Sequence, residues 1–101
     1  MYAIAIMLRA LPGLGETLVQ HSLATVAPSR AEAGCLFFDL LRNPNDPDEI
    51  VFYEAYRTRA DFDAHLASPH VRAWQASCLP ILDRAAIRMP SHVSVVDVDG
   101  A

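Results

Sequence analysis

The sequence predicts an α+β domain of the ferredoxin-like kind: elements in the order β-α-β-β-α-β, folded into a four-stranded antiparallel sheet with helices on one face. Three observations carry the prediction. Apolar runs of strand length alternate with stretches whose apolar residues recur at helical spacing. The two central runs are joined by a short polar loop dense in turn residues, the signature of an antiparallel hairpin. The chain has 101 residues, of which 52% are hydrophobic and 20% charged, enough for one domain spanning residues 1–101 with one core.

The elements follow in order. Tyr2 to Arg9 is a short apolar run that stops at Leu11-Pro12-Gly13 and reads as a strand. Leu14 to about Ala27 reads as a helix, with Leu14, Leu18, Val19, Leu23 and Val26 as its apolar stripe and Pro28-Ser29-Arg30 ending it. Gly34 opens a strand from Cys35 to Arg42, the turn-rich Asn43–Asp48 follows, and Ile50 to Arg57 is the next strand. Thr58 caps a short helix with Asp61 at its third position, a variant of the capping box, and Phe62 and Leu66 form its buried face. Ser68 caps a second helix, Pro69 takes its first position, and Val71, Trp74 and Cys78 follow at helical spacing until Pro80 ends or kinks it. His92 to Val98 is the last strand.

The strands lack the alternation of a sheet with one wet face. In the run from Ile50 to Arg57 one face is Ile50, Phe52, Glu54 and Tyr56, and the other is Val51, Tyr53, Ala55 and Arg57. Helices cover only one of these faces. A second copy of the sheet covers the other most economically, so the sequence predicts a homodimer packed sheet to sheet.

Composition excludes several classes. All eight basic residues are arginines, scattered along a chain of net charge -4, so the basic stripe needed for nucleic acid is missing. No apolar run approaches the roughly 20 residues of a membrane span, and the N-terminus has no secretory pattern, which points to a cytoplasmic protein. Cys35 and Cys78 read as free, buried thiols in a reducing compartment. No metal-ligand spacing, phosphate loop or nucleophile elbow is present, so neither a metal nor another cofactor is expected. The reaction this leaves is proton transfer on an activated carbon acid or phenol, for which one base in an aromatic pocket suffices.

Against this scaffold six side chains stand out. His65 borders the sheet-facing side of its helix, where an imidazole acts as acid or base near neutral pH or simply packs; Asp61, four residues earlier, is placed to orient it. Glu54 sits mid-strand, where a carboxylate needs a partner or a raised pKa, and the choice lies between His65 and a structural pair with Arg42, the latter slightly preferred. Trp74 is core or the wall of a pocket for a flat substrate, with its N–H as a polar handle. His70 stands one turn before Trp74, exposed or at a pocket mouth. Tyr53 and Tyr56 lie on opposite faces, and the face of Phe52, Glu54 and Tyr56 is the better pocket wall because a polar pocket tolerates a carboxylate better than a dry seam does. Asp39 is answered by arginines, while His21 and His92 read as surface residues.

Glu32 to Trp74 resembles the antibiotic biosynthesis monooxygenase (ABM) family. The resemblance rests on Glu32-x-Gly34-Cys35, on Tyr53-Glu54-x-Tyr56 and on His65-x-x-Ser68-Pro69-His70, and the element order extends it over nearly the whole chain. It implies a dimeric α+β barrel and, in some members, oxidation of small quinol- or anthrone-type aromatics by O2 without metal, flavin or haem, through a deprotonated substrate. Carried over, His65 is the base or the hydrogen-bond donor that holds the anion and Trp74 is the wall; the residues themselves add Glu54 as a second catalytic group and Tyr56, His70 and Phe52 as substrate-binding residues. Haem-degrading relatives use an Asn, Trp and His set that this chain lacks. The chain is also similar to an isomerase of a phosphorylated autoinducer-2 type dione, through Glu54-Ala55-Tyr56 and Pro69-His70, which requires an arginine such as Arg42, Arg57 or Arg72 for the phosphate. A non-catalytic dimer that binds small molecules is the third reading.

Overall fold

The structure is a computed structural model that describes residues 1–88 and the backbone of Val93–Ser94. Strand β1 (Tyr2–Arg9) leads to helix α1 (Gly15–Arg30), strands β2 (Cys35–Arg42) and β3 (Glu49–Tyr56) form the hairpin, and helices α2 (Arg59–Leu66) and α3 (Pro69–Cys78) follow. Two short 3-10 turns, Leu79–Ile81 and Arg84–Ala86, carry the chain back towards β1. The three main strands are antiparallel in the spatial order β2-β3-β1, which is an α+β fold. Val93 and Ser94 pair with Ala3 and Tyr2 at the free edge of β1. His92 and the rest of the last predicted strand lie outside the described residues. None of the described helices is long and apolar enough to cross a membrane.

Local chemistry accounts for most boundaries. Thr58 accepts from the Asp61 amide at 3.2 Å and donates to its carboxylate at 3.0 Å, closing the predicted box. Ser68 caps α3 through the Val71 amide and donates to the His65 carbonyl at 2.6 Å, tying the end of α2 to the start of α3. Helix α1 has no side-chain cap of its own; Asp48 reaches across from the β2–β3 loop and accepts from the Gly13 and Gly15 amides at 3.2 and 2.9 Å. A Cβ on Gly15 would lie 1.9 Å from the Pro47 carbonyl oxygen, so only glycine permits this approach. Pro28 does not end α1 as predicted. It sits inside the last turn, where one lost amide is tolerated because Ala31 donates to the Ala27 carbonyl at 3.1 Å and closes the turn.

Two predicted faces are rotated in the structure. On α1, Leu23 is 49% exposed, and the buried stripe runs instead through Leu18, Val19, Ser22 and Thr25. The hydroxyls are accommodated because Ser22 accepts from the Trp74 indole at 2.9 Å and Thr25 donates to the Ser22 carbonyl at 2.7 Å. On α2, Leu66 is 44% exposed and the buried pair is Phe62 and His65.

The core lies between helices and sheet around Leu8, Leu18, Phe38, Ile50, Phe52 and Cys78, each large side chain contributing about 1.5–3 kcal/mol by leaving water. The opposite sheet face carries Met7, Leu41 and Tyr53 exposed, with Phe37 stacked on Tyr53 at 5.1 Å. No described helix covers it. Both cysteines are free, Cys78 buried and Cys35 partly so.

Candidate active site

A cavity of about 300 Å³ opens between the sheet and helices α2 and α3. Its walls are mainly apolar, with Phe38, Phe52, Phe62 and Trp74 supplying aromatic surface and Leu66 and Leu79, both partly exposed, contributing to its lining. Four polar side chains share the lining: Thr25, Glu54, His65 and Gln75. An apolar concavity with a few convergent polar groups is the usual form of a small-molecule site.

His65 is the centre of the arrangement. It is 5% exposed and ringed by Phe38, Tyr56 and Phe62, with centroids at 5.5, 5.2 and 6.2 Å. Its Nδ1 meets both carboxylate oxygens of Glu32, at 2.9 and 3.1 Å. A carboxylate only accepts, so Nδ1 carries the proton and Nε2 keeps the lone pair. Burial lowers the His65 pKa below the usual histidine value, against the opposing pull of Glu32. The imidazole is therefore neutral at pH 7, with its basic nitrogen on the side of Glu54, whose Oε1 lies 3.7 Å from Nε2.

Glu54 is held in place by register. It pairs with Ile4 on β1 and Phe38 on β2 and projects onto the helix-facing side. Burial pushes its carboxyl up to about 7, offset in part by the Tyr56 hydroxyl, which donates to Oε1 at 3.0 Å, while the charge of Glu32 raises it further. The Tyr56 hydroxyl is itself pushed far up by burial and then by Glu54, so it stays a donor.

The structure brings His65, Glu54, Phe52 and Trp74 to the cavity. It does not bring Tyr56 there: the ring is fully buried behind Glu54. His70 is likewise outside the lining, where its Nε2 donates to Glu32 Oε2 at 2.6 Å. Trp74 forms a wall, edge-on to Phe52 at 5.9 Å, but its N–H is taken by Ser22 and offers the cavity no handle. The slightly preferred Arg42–Glu54 pair does not form. Arg42 stands opposite Ile50, four residues along β3 from Glu54, and binds Glu16 at 2.9 Å. Nor does Asp61 orient His65, because its carboxylate is engaged by the Thr58 hydroxyl at the start of α2. Asp39 pairs with Arg30 at 3.1 Å as expected, and His21 is exposed.

Glu32 was given no role by sequence reasoning. It lies in the turn after α1, 33 residues before His65, and its one signal was membership of the Glu32-x-Gly34-Cys35 motif. Packing delivers it. A Cβ on Gly34 would lie 2.2 Å from Asp61 Cγ, so the missing side chain lets the turn press against the first turn of α2. A bulge at Leu36 then returns Cys35 to the face of Tyr56. Burial, with Glu32 and Glu54 nearby, pushes the Cys35 thiol up to about 11, which disqualifies it as a nucleophile.

Comparison with known proteins places the family and the fold. The family model described as antibiotic biosynthesis monooxygenase matches residues 1–77. Rv0793 of Mycobacterium tuberculosis, named as a candidate monooxygenase, is 34% identical over 83 residues, which cover 80% of this chain and 81% of that one. Its solved structure superposes with a TM-score of 0.79 at 28% identity, over 93% of this chain and 96% of the other. PA3566 from Pseudomonas aeruginosa gives a TM-score of 0.83 at 27% identity, over 93% and 94% of the two chains. A protein from Nitrosomonas europaea gives 0.88 at 24% identity, over 95% and 99%, a likeness of fold.

Proposed function

The chain belongs to the antibiotic biosynthesis monooxygenase family, and we propose that it oxidises a small, electron-rich aromatic compound of the quinol or anthrone type with O2, without metal, flavin or haem. One observation carries the reading: a buried, neutral imidazole lines an aromatic-walled cavity, with Glu32 fixing its tautomer so that the basic Nε2 lies beside Glu54. That is the equipment for removing one proton from a flat substrate in a dry site.

The chemistry balances with O2 as the sole oxidant. His65 Nε2 takes a proton from the phenolic O–H or the activated C–H. The anion passes one electron to O2, and the radical pair combines to form a carbon–oxygen bond. The peroxide anion takes back the proton from His65, and its O–O bond then breaks as the same carbon gives up its remaining hydrogen, releasing water and leaving a carbonyl on the substrate carbon. The substrate supplies all four electrons that reduce O2, so no further reductant is needed. Glu54, whose carboxyl titrates near 7, is suited to pass the proton onward from His65. Gln75 is placed to bond a substrate oxygen, while Thr25, whose hydroxyl hydrogen is taken by the Ser22 carbonyl, is left only to accept from a substrate O–H.

The isomerase alternative requires a cation for a phosphate. Among the described residues lining the cavity there is no arginine; Arg42 is engaged by Glu16, and Arg57 and Arg72 stand exposed elsewhere. The proposal includes a homodimer closed over the uncovered sheet face, supported by the exposed Met7, Leu41 and Tyr53.

The test is oxygen uptake by the chelator-treated protein with a panel of quinols and anthrones. The wild type accelerates uptake, and His65→Ala lowers the rate about a hundredfold. Uptake no faster than the uncatalysed rate across the panel refutes the oxygenase. Tight binding of panel members without turnover then leaves the non-catalytic binding dimer.

A further inference from the structure

Glu32, His65 and His70 come from the turn after α1, from α2 and from α3, yet their ligating atoms all lie within 4.8 Å of one another. Nothing in their spacing announces this, since the histidines are not at helical i, i+4 positions of one helix and the glutamate is far away in sequence. Glu32 Oε2 stands 2.9 Å from His65 Nδ1 and 2.6 Å from His70 Nε2. Two imidazole nitrogens and one carboxylate oxygen are a three-ligand zinc set that leaves a fourth position for water. Tetrahedral zinc, with bonds near 2.0–2.1 Å, holds its donors roughly 3.3 Å apart. Both contacts therefore need to open by less than an ångström.

We propose that Glu32, His65 and His70 form a binding site for one zinc-class divalent ion, held by the Glu32 carboxylate, His65 Nδ1 and His70 Nε2. The donor set selects the class. Calcium takes six to eight oxygen ligands and magnesium demands six, whereas imidazole with a single carboxylate suits zinc and its transition-metal neighbours. The site is also built around the ligands. Ser68 caps α3 while bonding the His65 carbonyl, which sets the two rings 5.9 Å apart at 60°. The Glu32 and His70 side chains are 20% and 19% exposed, so an ion reaches them, while His65 closes the inner side. Glu54 supplies the outer partner: when Nδ1 takes a metal, the ring proton moves to Nε2, and Oε1 stands 3.7 Å away to accept it.

The binding claim stands independently of the oxygenase reading. One consequence rests on that reading: an imidazole metallated at Nδ1 and protonated at Nε2 is no longer a base towards the cavity, so zinc would silence the oxygenase.

Tag-free protein, stripped with EDTA and freed of chelator, is titrated with zinc chloride by calorimetry, with histidine nitrogen NMR in parallel. The expected result is one ion per chain with Kd at or below about 10 μM and resonance shifts at His65 Nδ1 and His70 Nε2. His70→Ala, His70→Gln and Glu32→Gln each weaken binding at least tenfold with the circular dichroism unchanged, whereas His21→Ala and His92→Ala do not. No binding up to 1 mM zinc overturns the site. Stoichiometric binding that survives the Glu32 and His70 variants also overturns it, by placing the ion elsewhere.

Discussion

Replacing Glu54 with glutamine should remove a loss of stability that the wild type suffers as pH rises from about 5 through 7. Glu54 is 6% exposed, and burial raises its carboxyl from 4.5 to about 7. A carboxyl raised on folding binds more protons in the folded state, so its contribution to stability is fully present below pH 4.5 and is lost as pH rises through 7. A shift of this size corresponds to about 3 kcal/mol in full, most of which falls between pH 5 and 7. Glutamine fills the same space, still accepts from the Tyr56 hydroxyl and carries no charge. The variant should therefore gain on the wild type by about 2–3 kcal/mol across that range, measured as the difference between the two at each pH. Taking the difference matters because His65 acts in the opposite sense. Its lowered pKa adds stability above its unfolded value of 6.5, and that stability is lost as pH falls. The assay is urea unfolding of chelator-treated protein at fixed concentration, followed by the fluorescence of Trp74. Parallel profiles for wild type and Glu54→Gln would refute the assignment of Glu54 as a buried carboxyl that titrates near neutrality.

Three further outcomes follow from single contacts. Glu32→Gln keeps the shape but removes the obligate acceptor that sets the His65 tautomer; under the proposed chemistry oxygen uptake falls by about tenfold to a hundredfold, and nitrogen NMR of His65 shows mixed tautomers where the wild type shows one. Ser22→Ala strands the half-buried Trp74 N–H, and chemical denaturation should record a loss of about 1–3 kcal/mol. Tyr53→Asp or Leu41→Asp, on the uncovered sheet face, should leave the circular dichroism unchanged and convert the proposed dimer to a monomer by light scattering; a wild type that is already monomeric at micromolar concentration would remove the dimer.

What the sequence made legible was local. The Thr58 and Ser68 caps, the hairpin across Asn43–Asp48 and the limits of the first three strands need only neighbours to act, and each holds in the structure to within a residue or two. Apart from α1 running through Pro28 to Arg30, the departures are tertiary. The α1 stripe is turned because Ser22 and Thr25 find partners inside, one of them on α3, so polarity alone misjudged which face is buried. The Arg42 expectation came from strand adjacency without register, and register puts Phe38 opposite Glu54. Glu32 was invisible as a functional group because its partners come from two other elements. Only a turn narrowed at Gly34 brings it to them.

The two carboxylates flanking His65 show how one pocket separates roles by environment. Glu32 accepts from two imidazole nitrogens, is a fifth exposed and orients both rings. Glu54 faces the same imidazole from the other side, nearly dry, with one tyrosine hydroxyl to satisfy it, and its carboxyl is pushed up to about 7. Under the proposed chemistry the first holds the His65 base in one tautomer, and the second is able to exchange a proton near neutral pH. Under the proposed chemistry the proton path is therefore set by which carboxylate is buried, and burial here is decided by strand register for Glu54 and by the absent Gly34 side chain for Glu32.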